Sequence, residues 1–85
     1  MTHAEVIALC DQAIEDAKNI QAGLVESRSD LHHFQTLLTE IGNAGKVEAA
    51  VGHAAQAAHN IQLAHDRMAN AIGEIRDVIG YINSI

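Results

Sequence analysis

The chain has 85 residues, one cysteine, no proline and two aromatic residues, and its net charge is −6. The single cysteine excludes an internal disulfide framework, and the lack of a basic stripe argues against ordinary nucleic-acid binding. No apolar run approaches the roughly 20 residues of a membrane span, so we expect one small domain without a transmembrane segment.

Acidic residues are concentrated in the first half of the chain. Residues 1–42 carry seven acidic and two basic side chains, whereas the remainder carries four acidic and three basic ones. The apolar stretch "VIALC" near the N-terminus has acidic residues on both sides, which is untypical of a secretory leader. The sequence therefore predicts a cytoplasmic location, with leaderless secretion as the alternative.

The sequence begins with a helix start signal. In "THAE", Thr2 stands three residues before Glu5, which is the spacing of a capping box. The β-branched residues that follow are scattered and do not alternate, which is untypical of strands. We therefore predict a first helix over about residues 3–41.

A cluster of turn-forming residues, "GNAG", lies at the middle of the chain. Gly42 is predicted to end the first helix in a left-handed conformation, and Asn43 or Gly45 to cap the next one. This gives a turn at 42–45 and a second helix over about 46–84.

Both predicted helices carry a row of mainly apolar residues at alternating spacings of three and four, which is typical of a coiled-coil seam. The row of the first helix is Val6, Cys10, Ala13, Ala17, Ile20, Leu24, Ser27, Leu31, Phe34, Leu38 and Ile41. That of the second is Val47, Ala50, Ala54, Ala57, Ile61, Ala64, Met68, Ala71, Ile75, Val78, Ile82 and Ile85. The fold class is therefore all-α, a single antiparallel two-helix hairpin over residues 1–85.

Folding back at the turn places large seam residues level with small ones. The predicted layers pair Leu38 with Ala50, Phe34 with Ala54, Leu31 with Ala57, Leu24 with Ala64, and Ala13 with Ile75. Large against small keeps the volume of each layer nearly constant, as close packing demands.

Further apolar residues lie outside this predicted seam, mostly near the chain termini. An exposed apolar stripe usually marks an interface, and two helices alone leave a core open. We therefore predict completion by oligomerisation into a four-helix or larger bundle, with a dimer as first choice, or by a helical protein partner. The predicted interface residues are Ile7, Leu9, Ile14, His65, Ile72, Ile79 and Tyr81.

The six histidines lack the His-x3-His spacing of a helix-borne zinc site. The hairpin register brings His32 and His33 level with His53, so a metal site across the helices is an alternative, but the sequence predicts no metal or other cofactor. Cys10 lies on the seam, where a thiol is usually inert, and no phosphate-binding loop is present. We therefore predict that the protein is not an enzyme.

The main functional prediction is a non-enzymatic helical-hairpin interaction module that acts by self-association or by binding a helical partner. One alternative is a small acidic inhibitor or adaptor that blocks a larger complex. Another is a ligand or metal binder that uses histidines between packed hairpins.

In outline, and most closely in "AAQAAHNIQ" and "ANAIGEIRDVIGYI", the chain resembles the small helical-hairpin substrates of type VII secretion, a family named for its Trp-x-Gly turn. It departs from the family pattern in the turn, where "IGNAG" has no tryptophan, and four residues after Tyr81, where Ile85 replaces an acidic residue. The resemblance implies dimeric four-helix bundles that act as export partners or adaptors and not as enzymes.

Overall fold

The structure, a computed structural model, describes residues 1–42 and 46–85. It contains helix α1 at His3–Gly42 and helix α2 at Glu48–Ser84, and these pack along each other as an antiparallel hairpin. The Cα atoms span 65 × 15 × 14 Å. The predicted all-α hairpin is therefore confirmed, with α1 ending one residue later and α2 beginning two residues later than expected.

The start of α1 confirms the role predicted for Thr2. The Thr2 hydroxyl oxygen accepts a hydrogen bond from the Glu5 backbone N–H at 3.2 Å. The same hydroxyl lies 3.1 Å from Glu5 Oε1 and donates to it. One backbone N–H that the first turn leaves without a helical partner is thereby satisfied.

Removing this cap should measurably weaken the fold. We expect Thr2→Ala to lower the free energy of unfolding by about 1 kcal/mol, the usual value of an N-terminal hydroxyl cap. Urea denaturation at a fixed protein concentration measures this loss. Thr39→Ala is the matched control, because the Thr39 hydroxyl only donates back to the Gln35 carbonyl within α1. An equal loss in both variants would contradict a capping role.

The structure near the turn corrects the role predicted for Gly42. Gly42 is the last residue of α1 and has no positive φ. A Cβ atom at this position would lie 3.2 Å from Cγ2 of Val47, so the glycine permits a close approach of the two helix ends. Val47 is the N-cap of α2 and makes no side-chain capping hydrogen bond. The caps predicted at Asn43 and Gly45 lie outside the described residues.

Two hydrogen bonds between the helices establish the register. Gln21 Nε2 donates to the His65 carbonyl at 3.5 Å, and Arg28 Nη1 donates to Gln62 Oε1 at 3.0 Å. In the predicted register Gln21 is level with Arg67, and Arg28 is level with Asn60. His65 therefore lies two residues before the predicted level, and Gln62 lies two residues after it. The two bonds therefore bracket the predicted register and confirm it to within two residues.

The helix faces that meet differ from the predicted ones. Four side chains are buried within residues 1–42 and 46–85, namely Ala17, Leu38, Ala54 and Ile72. Ile72, predicted to lie outside the seam, is only 5% exposed, so that prediction is wrong. Phe34, predicted to fill the layer with Ala54, is 47% exposed, so that prediction is also wrong. Both helices are rotated about their axes relative to the predicted seam.

The rotation follows from the isoleucines near the chain termini. Ile7 and Ile14 on α1 interleave along the hairpin with Ile72 and Ile79 on α2, and all four are buried or half-buried. Burying these large side chains removes more apolar area from water than burying the alanines that the predicted seam has at this end. The terminal half therefore favours a face that includes the isoleucines.

The half of the hairpin near the turn follows the same rotation because each helix is a continuous rod. Gln21 and Gln35 of α1 are consequently half-buried, whereas Ile20 and Phe34, one residue earlier in each case, are turned outward. The polar side chains tolerate this position because Gln21 and Arg28 find hydrogen-bond partners on α2.

Candidate functional site

The two long sides of the hairpin differ in chemistry. On one side, which we call the polar edge, Arg28 donates to Gln62, and Gln62 Nε2 in turn donates to Asp66 Oδ1 at 3.0 Å. Gln21 and the His65 carbonyl meet on the same side, and Nδ1 of His65 lies 4.0 Å from Asp66 Oδ1. In the middle of the hairpin this side is a hydrogen-bonded strip of polar groups along the line where the helices meet, whereas toward the termini it carries Ile7, Ile14 and Ile79.

The opposite side is apolar. Between the two sides, each helix has a central row of buried or half-buried residues that faces the other helix. The central row is Cys10, Ala17, Leu24, Leu31 and Leu38 on α1, and Ala54, Ile61, Met68 and Ile75 on α2. Each residue one position before a polar-edge residue lies about 100° away round the same helix, on the other side of this central row. Because the rows of Gln21 and His65 meet at the polar edge, the rows of Ile20 and Ala64 lie together on the other side. We call these the α1 row and the alanine row, and together the apolar face. The α1 row is Val6, Ala13, Ile20, Ser27, Phe34 and Ile41, and the alanine row is Ala50, Ala57, Ala64, Ala71, Val78 and Ile85.

Large side chains on the apolar face are strongly exposed. Ile20 is 51% exposed and Ile41 is 53% exposed, similar to Phe34 between them in the α1 row. The four alanines of the alanine row are half-buried, and Val78 and Ile85 beyond them are exposed. The face thus has a ridge of large side chains along α1 and a shallow trough over the alanines of α2.

The residues predicted to form the partner interface are divided between the two sides. Leu9 and Tyr81 are exposed and lie on the outer rims of the apolar face, one on each helix. Ile7, Ile14, His65 and Ile79 are half-buried on the side of the polar edge, and Ile72 is buried within the hairpin.

The spacing of apolar residues predicts that Ile20, Phe34 and Ile41 lie in the seam, whereas the structure leaves them exposed. The sequence signal for this exposure is that Ile7 and Ile14 lie close to the levels of Ile79 and Ile72 near the chain termini. These four large apolar side chains compete with the predicted seam for burial, and burying them turns Ile20, Phe34 and Ile41 outward.

The histidines considered as metal ligands do not come together. Within residues 1–42 and 46–85 the structure contains no group of three or more His, Cys, Asp or Glu side chains that fits a metal ion. His32, His33 and His53 are each exposed and belong to different faces of the hairpin. The part of the chain that the structure describes also contains no pocket.

Neither described helix is apolar enough over a sufficient length to cross a bilayer. No protein-family model, curated protein or solved structure matches this chain. The resemblance to the Trp-x-Gly family therefore stays a prediction. The polar edge and the apolar face of the hairpin are the features from which a function can be proposed.

Proposed function

We propose that the protein is a non-enzymatic interaction module that binds a helical surface, either of a second copy or of another protein, through its apolar face. The observation that carries this proposal is the exposure of Ile20, Phe34 and Ile41 in one row beside a row of alanines. A row of large exposed apolar side chains, interrupted here only by Ser27, typically marks a protein interface.

The shape of the hairpin supports the same proposal. Its Cα radius of gyration is 19.2 Å, whereas a compact chain of 85 residues has a value of about 12 Å. Only four residues are buried among those described. Two helices bury one seam, and a further layer over the apolar face would give the protein a closed core.

The experiment that tests the proposal compares two Asp substitutions at similarly exposed positions on opposite sides. Phe34→Asp places a carboxylate on the apolar face, and Val25→Asp places one on the side of the polar edge, where Val25 is 43% exposed. Tagged proteins are incubated with an extract of the cells that carry the gene, and bound proteins, including untagged copies of the chain, are identified by mass spectrometry.

We expect Phe34→Asp to lose the associations of the unaltered protein and Val25→Asp to retain them, since an unpaired carboxylate is costly to bury. Far-UV circular dichroism of both variants verifies that the helices are formed. Equal retention, or equal loss in two folded variants, would contradict an interface at the apolar face.

A further inference from the structure

We infer that the occupant of the apolar face is a second copy of this chain, packed face to face with its turn at the same end. This inference rests on the proposed function and specifies its partner. The geometry is a twofold axis parallel to the long axis of the hairpin, so that α1 of each copy lies on α2 of the other. All neighbouring helices of the resulting four-helix bundle are then antiparallel.

The relief of the apolar face is complementary to itself. A twofold axis along the hairpin places the ridge of the α1 row over the trough of the alanine row in both directions at once. It also preserves the level of every residue. Phe34 is level with Ala54, and Ala54 lies midway between Ala50 and Ala57 of the alanine row. The Phe34 ring of one copy therefore enters the space between those two alanines of the other.

The same relation holds further along the face. Ile20 is level with Met68, which lies midway between Ala64 and Ala71, so the Ile20 side chain also meets a space between two alanines. Where the α1 row has the small residue Ala13, the alanine row changes to a larger residue, Val78. At these three levels a large side chain of one copy meets small ones of the other, as in coiled-coil packing, whereas Ser27 meets the small residues Ala57 and Ala64. Size complementarity between copies therefore adds to that within the hairpin, where Leu38 and Ala54 are both buried.

The exposed area of the hairpin is large for its mass. The hairpin exposes 6096 Å², whereas a compact protein of 9.1 kDa exposes about 4,900 Å². A compact protein of twice this mass exposes about 8,100 Å² by the same relation, so a pair of hairpins could remove at most about 4,000 Å² from water. A permanent homodimer needs about 2,000 Å² or more, which lies below this upper bound.

The charges along the rims of the apolar face bear on which ends meet. The α1 rim carries Asp16 and Asp30, and the α2 rim carries Lys46 and Arg67 together with Glu74. With both turns at the same end, Asp16 of one copy lies between the levels of Arg67 and Glu74 of the other, and Asp30 lies between those of His53 and Asn60. With the turns at opposite ends, the two acidic α1 rims would face each other. The same-end arrangement keeps these acidic rims apart.

The experiment measures distances between spin labels by pulsed electron paramagnetic resonance. A Cys10→Ala background removes the natural thiol, and Lys46→Cys, at an exposed site beside the turn, carries the label. We expect a distance between copies within the width of a four-helix bundle, about 20–25 Å for helices about 10–12 Å across. The matched sample mixes Lys46→Cys with Ser84→Cys, at the terminal end, and its mixed pairs should add distances near the 65 Å length of the hairpin to the short distances of the identical pairs.

Sedimentation of the unlabelled protein, and of each variant before and after labelling, shows that all samples have the same association state. A long distance for the Lys46 pair would overturn the same-end arrangement. A monomer at micromolar concentration would overturn the second copy as the occupant, whereas the proposed interaction module is tested separately by the extract experiment with Phe34→Asp.

Discussion

Ile72→Asp is expected to unfold the protein and not merely to prevent its association. Ile72 is buried in the hairpin and no buried polar or charged group lies among the described residues to pair with a new carboxylate. An uncompensated buried charge typically costs about 3–5 kcal/mol, which is a large part of the stability of a small domain. Far-UV circular dichroism should therefore show a loss of helicity across a range of protein concentrations.

The control for this prediction is Leu63→Asp. Leu63 is also on α2 but lies on its outer side, 39% exposed, so the new carboxylate stays in water. We expect this variant to keep its helices. If Ile72→Asp instead kept full helicity and lost only association, Ile72 would lie outside the seam, as the sequence alone predicted.

Ala64→Leu should weaken association even though it makes the apolar face more apolar. Ala64 is one of the half-buried alanines that form the trough, and Ile20 of the second copy enters beside it in the inferred dimer. Filling that space forces the interface apart, and overpacking typically costs about 1–3 kcal/mol at each site. Because the twofold axis repeats the site, we expect the dissociation constant to rise about tenfold or more. Analytical ultracentrifugation over a concentration series measures the change.

Two further variants make this test specific. Ala55→Leu adds the same side chain on the other side of α2, where Ala55 is exposed, and should leave association unchanged. Ile20→Ala combined with Ala64→Leu restores the volume of the layer, so the double variant should associate more tightly than the sum of the single effects predicts. Tighter association of Ala64→Leu alone would indicate a surface that binds by hydrophobicity without defined packing.

The sequence was sufficient to predict the hairpin because its main signals are local. The Thr2 cap, the turn cluster and the long spacing of three and four each depend on residues close together in the chain. The register also follows from the sequence, since the turn sets which residues of the two helices lie level.

The rotation of the helices was not predictable from spacing alone. The predicted face and the observed face of α1 both contain the central row with Ala17 and Leu38. The predicted face adds Ile20 and Phe34, whereas the observed face adds Gln21 and Gln35. A count of apolar residues favours the predicted face. The favoured orientation is the one that buries the most apolar area over the whole length of both helices. The isoleucines near the termini therefore determine the orientation even for residues far from them. For the same reason, most of the residues predicted to form the interface lie on the side of the polar edge or within the hairpin.

The arrangement of contacts in a simple hairpin also has a consequence for how the chain folds. Residues next to the turn, such as Gly42 and Val47, are separated by a short loop, whereas Ile7 and Ile79 are separated by nearly the whole chain. The entropy lost on closing a loop increases with its length, but each added layer extends an already closed loop by only a few residues. We therefore expect the two helices to pack together from the turn toward the termini. The large isoleucines at the far end would then pack last and secure a structure that the alanine-rich end begins.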